Sequence, residues 1–280
     1  MSGLESCTVT RVRTVVHLSD LHFGRIDPAV LAPLRTAVLE ARPDLIAVSG
    51  DFTQRAQRKE FAAARAFLDT LHPPKLMVPG NHDVPFWNVA RRFVTPFTRY
   101  RAFISEELEP EHVDDEMIVV GVNTARSFAH GGGRINTVQV DRIVERLASA
   151  PPSLVRVVVT HHPFDLPPGV RERRLLGRAR MAMAKLARAN ADLFLSGHLH
   201  LSHASHSVER YRIEGHSALI VQAGTVSMRG RGERPSFNLL RIARPTIELV
   251  RYGWNSQAGT FTASPATRYV HTEAGWKDAP

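Results

Sequence analysis

The sequence predicts an α/β fold, and three observations predict it. Short runs rich in β-branched and apolar residues, at 13–18, 45–49 and 76–78, alternate with longer stretches whose apolar residues recur at helical spacing. Each of these runs ends in a polar residue, Asp20, Asp51 and Asn81 in turn, at the C-terminal strand edge where α/β sheets place their ligands. Residues 208–250 alternate short apolar runs with turns, the pattern of antiparallel strands forming a second sheet.

The elements follow in order. Residues 1–12 read as a flexible N-terminus, polar and without the apolar core of a signal peptide. The strand at 13–18 runs into Ser19-Asp20-Leu21-His22. If the extended conformation continues to His22, Asp20 and His22 project from one face within reach of a common ion. Pro28 opens a helix with Leu31, Leu34, Val38 and Leu39 inward. After the strand at 45–49 and its Gly50-Asp51 end, a helix over 57–71 carries Phe61, Ala64, Phe67, Leu68 and Leu71 on one stripe. Pro73-Pro74 stops it before the strand leading to Pro79-Gly80-Asn81-His82-Asp83. Strand, helix, strand, helix, strand is the order of a right-handed parallel sheet.

Residues 84–104 break that rhythm by interleaving seven aromatic or apolar residues, from Phe86 to Phe103, with Arg91, Arg92, Arg99 and Arg101. Two short helices split at Pro96 fit the segment. It is either a packed insertion with a solvated basic face or a cap over the site, with Trp87 or Arg91 holding substrate. A strand over 117–122, a loop over 124–133, a helix over 139–148 and a strand over 154–159 follow, the last ending at His161-His162. The basic run 171–180 reads as an exposed loop. A helix over 181–189 leads to the strand at 192–196 and to Gly197-His198-Leu199-His200. Strands are expected at 211–213, 219–221, 237–240 and 247–249. A hairpin within 258–280 and a frayed tail close the chain, and one domain is expected over 13–257.

Composition narrows the function. No stretch approaches the roughly 18 apolar residues of a membrane span, so the expected compartment is the cytoplasm. The single cysteine, Cys7, permits neither an intrachain disulfide framework nor a thiolate metal site, so any metal must use nitrogen and oxygen. The formal charge of +9 suits anionic partners, but the arginines are scattered, so a dedicated nucleic-acid surface is not favoured.

Collected together, the polar strand ends are Asp20, His22, Asp51, Asn81, His161, His198 and His200, with His82 beside them. Seven oxygen and imidazole donors exceed what one ion uses. They divide into two sites sharing Asp51, and the donor chemistry suits Zn²⁺, Mn²⁺ or Fe²⁺/Fe³⁺. His17, inside the first strand, reads as a core residue or a support behind the ligands.

The ordered motifs Asp20-Leu21-His22, Gly50-Asp51, Gly80-Asn81-His82-Asp83, His161 and Gly197-His198-Leu199-His200 resemble those of the calcineurin-like metallophosphoesterases. Within that superfamily they are closest to compact bacterial enzymes that include the class III cyclic-nucleotide phosphodiesterases. The resemblance implies a four-layer α/β/β/α sandwich of two mixed β-sheets flanked by helices, with the C-terminal strands forming the second sheet. It assigns Asp20, His22, Asp51 and His200 to one metal, and Asp51, Asn81, His161 and His198 to the other. It further implies hydrolysis by a metal-bridging hydroxide, with His82 protonating the leaving group and Asp83 orienting His82. His162 and His203 join Trp87 and Arg91 as candidate substrate contacts. The expected substrate is a 3',5'-cyclic nucleotide or another small phosphodiester, and the alternatives are a glycerophosphodiester and a nucleic-acid strand cut by an exonuclease. A scaffold that has lost catalysis is disfavoured because no motif residue is missing. The aromatic segment 84–104 raises the expectation of a homodimer.

Overall fold

The computed structural model describes residues 11–86, 88–128, 132–229 and 232–280. In chain order the elements are β1 (Arg13–Leu18), α1 (Pro28–Glu40), β2 (Leu45–Val48), α2 (Arg58–Asp69), β3 (Lys75–Met77), α3 (Val89–Val94), α4 (Thr98–Phe103), β4 (Glu111–Val113) and β5 (Met117–Val122). There follow α5 (Thr137–Ser149), β6 (Val155–Thr160), α6 (Ala179–Arg188), β7 (Leu193–Ser196), β8 (His203–His206), α7 (Ser207–Tyr211), β9 (Leu219–Gln222), β10 (Ser236–Ala243), β11 (Thr246–Asn255), β12 (Thr260–Ala263), β13 (Thr267–Thr272) and β14 (Gly275–Asp278). Short 3₁₀ turns lie at Asn81–Asp83 and Glu172–Arg174.

Local chemistry sets the helix starts. Asp27 caps α1 by accepting from Ala29 N at 2.9 Å, with Pro28 in the first turn where its missing N–H costs nothing. At α5 the Asn136 side chain accepts from Gln139 N and the Gln139 side chain accepts from Asn136 N, a reciprocal box that satisfies two otherwise orphaned donors. Val30, rather than Leu31, joins Leu34 and Val38 on the buried stripe of α1.

The strands form two mixed sheets. One runs β14-β13-β11-β10-β1-β2-β3 with β12 beside β11, and only β1, β2 and β3 are mutually parallel. The other runs β4-β5-β6-β7-β9-β8, with β5, β6, β7 and β9 parallel inside two antiparallel edges. The parallel strands of this second sheet, β5, β6, β7 and β9, are buried along their whole length, as strands covered on both faces must be. Val15, Ala47, Leu76, Val119, Val157, Leu195 and Leu240 meet in a core between the sheets. Outer cores join the first sheet to α1, α2 and α4, and the second to α5 and α6. Helices, sheet, sheet, helices are the four layers expected. No helix among the described residues is long and apolar enough to cross a membrane.

Three expectations are corrected. The C-terminal strands do not make the second sheet: β10 pairs with β1 and extends the first, while β9 runs parallel to β7 in the second. Residues 211–213 are not a strand, because α7 ends at Tyr211 and Arg212 turns left-handed at φ 47°. The frayed tail is a strand, β14, whose Trp276 is 2% exposed and donates Nε1–H to Asp192 at 2.8 Å. Segment 84–104 forms two short helices on either side of Pro96, as expected. α4 is packed, with Tyr100 buried and bonded to Met77 O at 2.9 Å, while α3 leaves Val89, Phe93 and Val94 exposed. Residues 1–10 of the expected flexible N-terminus lie outside the described residues.

Candidate metal centre

The C-terminal ends of β1, β2, β3, β6 and β7 open on one rim, and backbone bonds zip their loops together. Asp20 N donates to Gly50 O, His22 N to Asp51 O and Gly197 N to His161 O. Asp20, His22, Asp51, His198 and His200 all have positive φ, between 44° and 72°. Asp20 and His22 therefore do not share a face of a continuing strand as expected; each sits in a left-handed turn that swings its side chain into the rim. Such backbone is costly for residues with a Cβ and persists where surrounding structure enforces it, as it commonly does at functional sites. Gly80 is needed for close approach and not for an unusual φ: a Cβ there would collide with the Asp51 carboxylate. Gly197 is constrained likewise, against the Ser19 hydroxyl.

Three histidines are set the same way. Nδ1 faces a backbone carbonyl in His22 (Thr53 O, 3.2 Å), His161 (Ser49 O, 2.7 Å) and His200 (Arg229 O, 2.8 Å). A carbonyl only accepts, so Nδ1 carries the proton and Nε2 is left as the ligand atom, the usual support for a metal-binding imidazole. The Nε2 atoms converge on two buried carboxylates. His22 and His200 lie 3.4 and 3.1 Å from Asp20 Oδ1, and His22 and His161 lie 3.6 and 3.4 Å from Asp51 Oδ2. Nε2 of His22 and Nε2 of His200 are 3.1 Å apart, and His161 Nε2 is 3.1 Å from Asn81 Oδ1. Asp20, His22 and His200 form one cluster with ligand atoms within 4.8 Å of one another; Asp20, Asp51 and His161 form a second, and His161, His162 and His198 a third. The buried atoms His162 Nε2 and His198 Nε2 have no hydrogen-bond partner, and Asp20 Oδ1 meets only the imidazole Nε2 atoms of His22 and His200. Buried polar atoms in that state fit a cation site. The donor set, imidazole and oxygen without thiolate, fits Mn²⁺, Fe or Zn²⁺.

The electrostatics agree. Burial alone would raise Asp20 and Asp51, yet the surrounding histidines, His200 foremost at Asp20 and His161 at Asp51, hold both well below the usual carboxylate range. Reciprocally, burial would lower His161, but Asp51 and Asp20 push it up to about 9. Two buried carboxylates demand positive charge, and without an ion His161 and His200, both raised, supply it as protons. His198, buried against His161, is lowered to about 3.

The other expected residues fall as follows. His82 sits in the 3₁₀ turn with its N–H on Asp51 Oδ1 at 2.8 Å and its ring 4.9 Å from that of His22. Asp83 does not orient it. The Asp83 carboxylate accepts from Gly80 N, Phe52 N, Thr53 N and the Thr53 hydroxyl at 2.9 to 3.2 Å, clasping two strand-end loops together. Burial, with the like charge of Asp51, raises it to about 7. Gln54 O takes His82 Nδ1 at 2.8 Å instead. His162 is fully buried, its Nδ1 2.9 Å from the Thr124 hydroxyl and its ring against His198, so it is no exposed substrate contact. His203 lies 3.7 Å from Asp165, whose carboxylate also takes the Ser205 hydroxyl and Arg210. Arg91 is exposed and places its charge beside Arg99, in the solvated basic face rather than at the centre. Trp87 lies outside the described residues. His17 is a neutral core residue, lowered to about 3 by burial and 2.9 Å from the Ser49 hydroxyl.

Sequence reasoning missed Gln54, Arg174 and Arg229. Gln54 acts through its carbonyl, which no residue type announces. Arg174, in the basic run, places its charge near His198. Arg229, whose NH1 is 3.2 Å from His82 Nε2, follows β9; reading that strand as antiparallel hid a sixth strand end at the rim.

The family model "Calcineurin-like phosphoesterase" matches residues 13–202. Over 82 residues the chain is 37% identical to the glycerophosphodiester phosphodiesterase GpdQ of Enterobacter lignolyticus, a match covering 25% of this chain and 29% of that protein. The fold is similar to that of a purple acid phosphatase from yellow lupin, Lupinus luteus (TM-score 0.66, 12% identity, 92% of this chain and 54% of that one). It is also similar to that of Vacuolar Protein Sorting 29 from Cryptosporidium parvum (TM-score 0.50, 12% identity, 92% of this chain and 98% of that one).

Proposed function

The chain belongs to the calcineurin-like phosphoesterase family, and on that premise we propose that it is a metal-dependent phosphodiesterase holding two divalent ions and hydrolysing a small phosphodiester. One observation carries the reading: three imidazoles, each tied through Nδ1 to a carbonyl, aim Nε2 at Asp20 and Asp51, two of them only 3.1 Å apart. Two ring nitrogens at that distance need a proton or a metal cation between them.

Asp20, His22, Asp51 and His200 would hold one ion; Asp51, Asn81, His161 and His198 the other, with Asp51 shared. When bound, such a pair neutralises phosphoryl charge and brings the pKa of water towards neutrality. The chain's own residues do the rest. Asp51 Oδ1 holds the His82 backbone and Gln54 O fixes the ring, which leaves Nε2 as the His82 atom that would serve a leaving group. Asp83 keeps the two loops that carry these groups in register.

A cyclic nucleotide and a glycerophosphodiester are the first substrates to try, the second supported by the local likeness to GpdQ. The cytoplasmic setting belongs to the same reading and is supported by the single cysteine. A homodimer through segment 84–104 is supported by exposed Phe86, Val89, Phe93 and Val94, and a monomeric mass in solution would remove it. The test is Mn²⁺-stimulated hydrolysis across cyclic nucleotides, glycerophosphodiesters and single-stranded oligonucleotides, with metal analysis of the same preparation. Cleavage of oligonucleotides alone overturns the small substrate. Less than one bound ion per chain after growth with Mn²⁺ and Fe overturns the function.

A further inference from the structure

The loop between β9 and β10 lies beyond residues 13–202, so the family match says nothing of it. The rim nevertheless fixes its residues 225–229 closely. The Thr225 hydroxyl donates to Asp20 O at 2.7 Å, accepts from Ser227 N at 3.0 Å and lies 2.7 Å from the Ser227 hydroxyl. Met228 N reaches Arg25 O at 3.4 Å. This ladder delivers Arg229 to the centre with its backbone and side chain engaged separately. Its carbonyl takes His200 Nδ1 at 2.8 Å, and its NH1 lies 3.2 Å from His82 Nε2.

The second contact is an unusual one for a guanidinium. Arginine only donates and Gln54 O only accepts, so in this arrangement the His82 proton is on Nδ1 and the Nε2 lone pair faces Arg229. A neutral ring nitrogen is a modest partner for a full, half-buried charge. Arg13, Arg210, Arg244 and Arg251 each meet a carboxylate. Among the described residues no carboxylate lies within ion-pair distance of Arg229. The guanidinium is therefore a cation held at the edge of the centre by an acceptor that a phosphoryl oxygen would outcompete. Its planar fork is the donor geometry that suits phosphate best.

We propose that Arg229 is a substrate-binding residue whose guanidinium leaves His82 Nε2 for an anionic oxygen of the phosphoryl group. Arrival of substrate then frees His82 Nε2, which can take a proton from solvent and pass it to the leaving group, so anion binding and exposure of His82 are one event. The proposal rests on the phosphoesterase reading above.

The test compares the Mn²⁺-loaded wild type with Arg229→Ala and Arg229→Lys, using inorganic phosphate as the probe in calorimetry and mass spectrometry for metal content. Any side chain at 229 keeps the carbonyl that orients His200, so Arg229→Ala should carry as much metal as the wild type. It should bind phosphate about tenfold to a hundredfold more weakly, the worth of a hydrogen bond to a charged group, and raise KM more than it lowers kcat. Arg229→Lys, with the charge but not the fork, should fall between. Unchanged phosphate affinity in Arg229→Ala at unchanged metal content overturns the proposal; so does loss of metal, which would make the residue a support for His200. A metal-loaded wild type that hydrolyses no phosphoester sinks the functional reading instead, and phosphate affinity still decides Arg229.

Discussion

Asp51 accepts from His82 N on one oxygen and faces both His22 and His161 with the other, so a single carboxylate links the metal clusters to the turn that carries His82. That double duty makes two substitutions separable. Asp51→Asn keeps the volume and the acceptor for His82 N but removes the charge; bound metal should fall below one ion per chain and hydrolysis by at least about a hundredfold. His82→Ala leaves the expected ligand set intact, so metal content should hold while kcat falls about a hundredfold or more, the usual worth of a positioned proton donor. Metal analysis beside steady-state rates on an activated phosphodiester reads both, and full activity in His82→Ala would sink the acid role. The residue types at the strand ends were legible from spacing alone because imidazole and carboxylate announce their chemistry. What orients them was not. Three histidines and His82 are set by carbonyls of Thr53, Ser49, Arg229 and Gln54, and a carbonyl belongs to every residue. Asp83 misled for the opposite reason: next to His82 in sequence, its side chain turns to four donors on neighbouring loops.

At the scale of elements, hydrophobic pattern located most strands and helices to within a residue or two, yet it did not say which strands are neighbours. An apolar run reads the same whether its partner is parallel or antiparallel, so β9 and β10 were expected in one antiparallel sheet and lie in different ones. The closing strand was missed for lack of length. Gly275–Asp278 is too short for an alternating pattern, and what holds it is one side chain, Trp276, buried beside Tyr269 and Ile247 with its indole N–H on Asp192. Asp192 also meets Arg244 at 3.1 Å, so β14 is tied to the residue just before β7, at the end of that strand away from His198. Trp276→Ala should therefore cost about 3–5 kcal/mol in denaturant unfolding, from the lost packing and the hydrogen-bond acceptor left behind. Bound metal and kcat should stay at wild-type levels, because the lesion lies at the far end of the sheet from the rim. Loss of metal in a still-folded Trp276→Ala would show that the two ends of the strand are coupled.

For the whole molecule, two sheets face each other across a core of Val, Leu and Ala with their parallel strand ends on a common rim, and the charge gathered at that rim is paid in protons until an ion replaces them. His161 is held at about 9 because Asp51 and Asp20 outweigh its burial, and His200 is raised for the same reason. An imidazole must be deprotonated to bind a metal, so in the metal-free protein at pH 7 the proton on His161 competes with the ion. The sign follows: affinity for Mn²⁺ rises as pH rises from 7 and levels off near 9, by about tenfold per pH unit for each proton displaced. A raised folded-state pKa also stabilises the metal-free protein below the ordinary histidine value near 6.5, and that contribution is lost as pH climbs through about 9. Asp20 and Asp51 are lowered, so their contribution stands throughout this window and is lost only on strong acidification. The metal-free protein should thus lose stability between pH 7 and 9 through this site, while the loaded protein, with the proton already displaced, does not. Calorimetric titration of Mn²⁺ in buffers of different ionisation enthalpy counts the released protons directly. A count of zero at pH 7.5, with affinity flat from 7 to 9, would mean that His161 is no ligand and that the rim's charge is balanced in some other way.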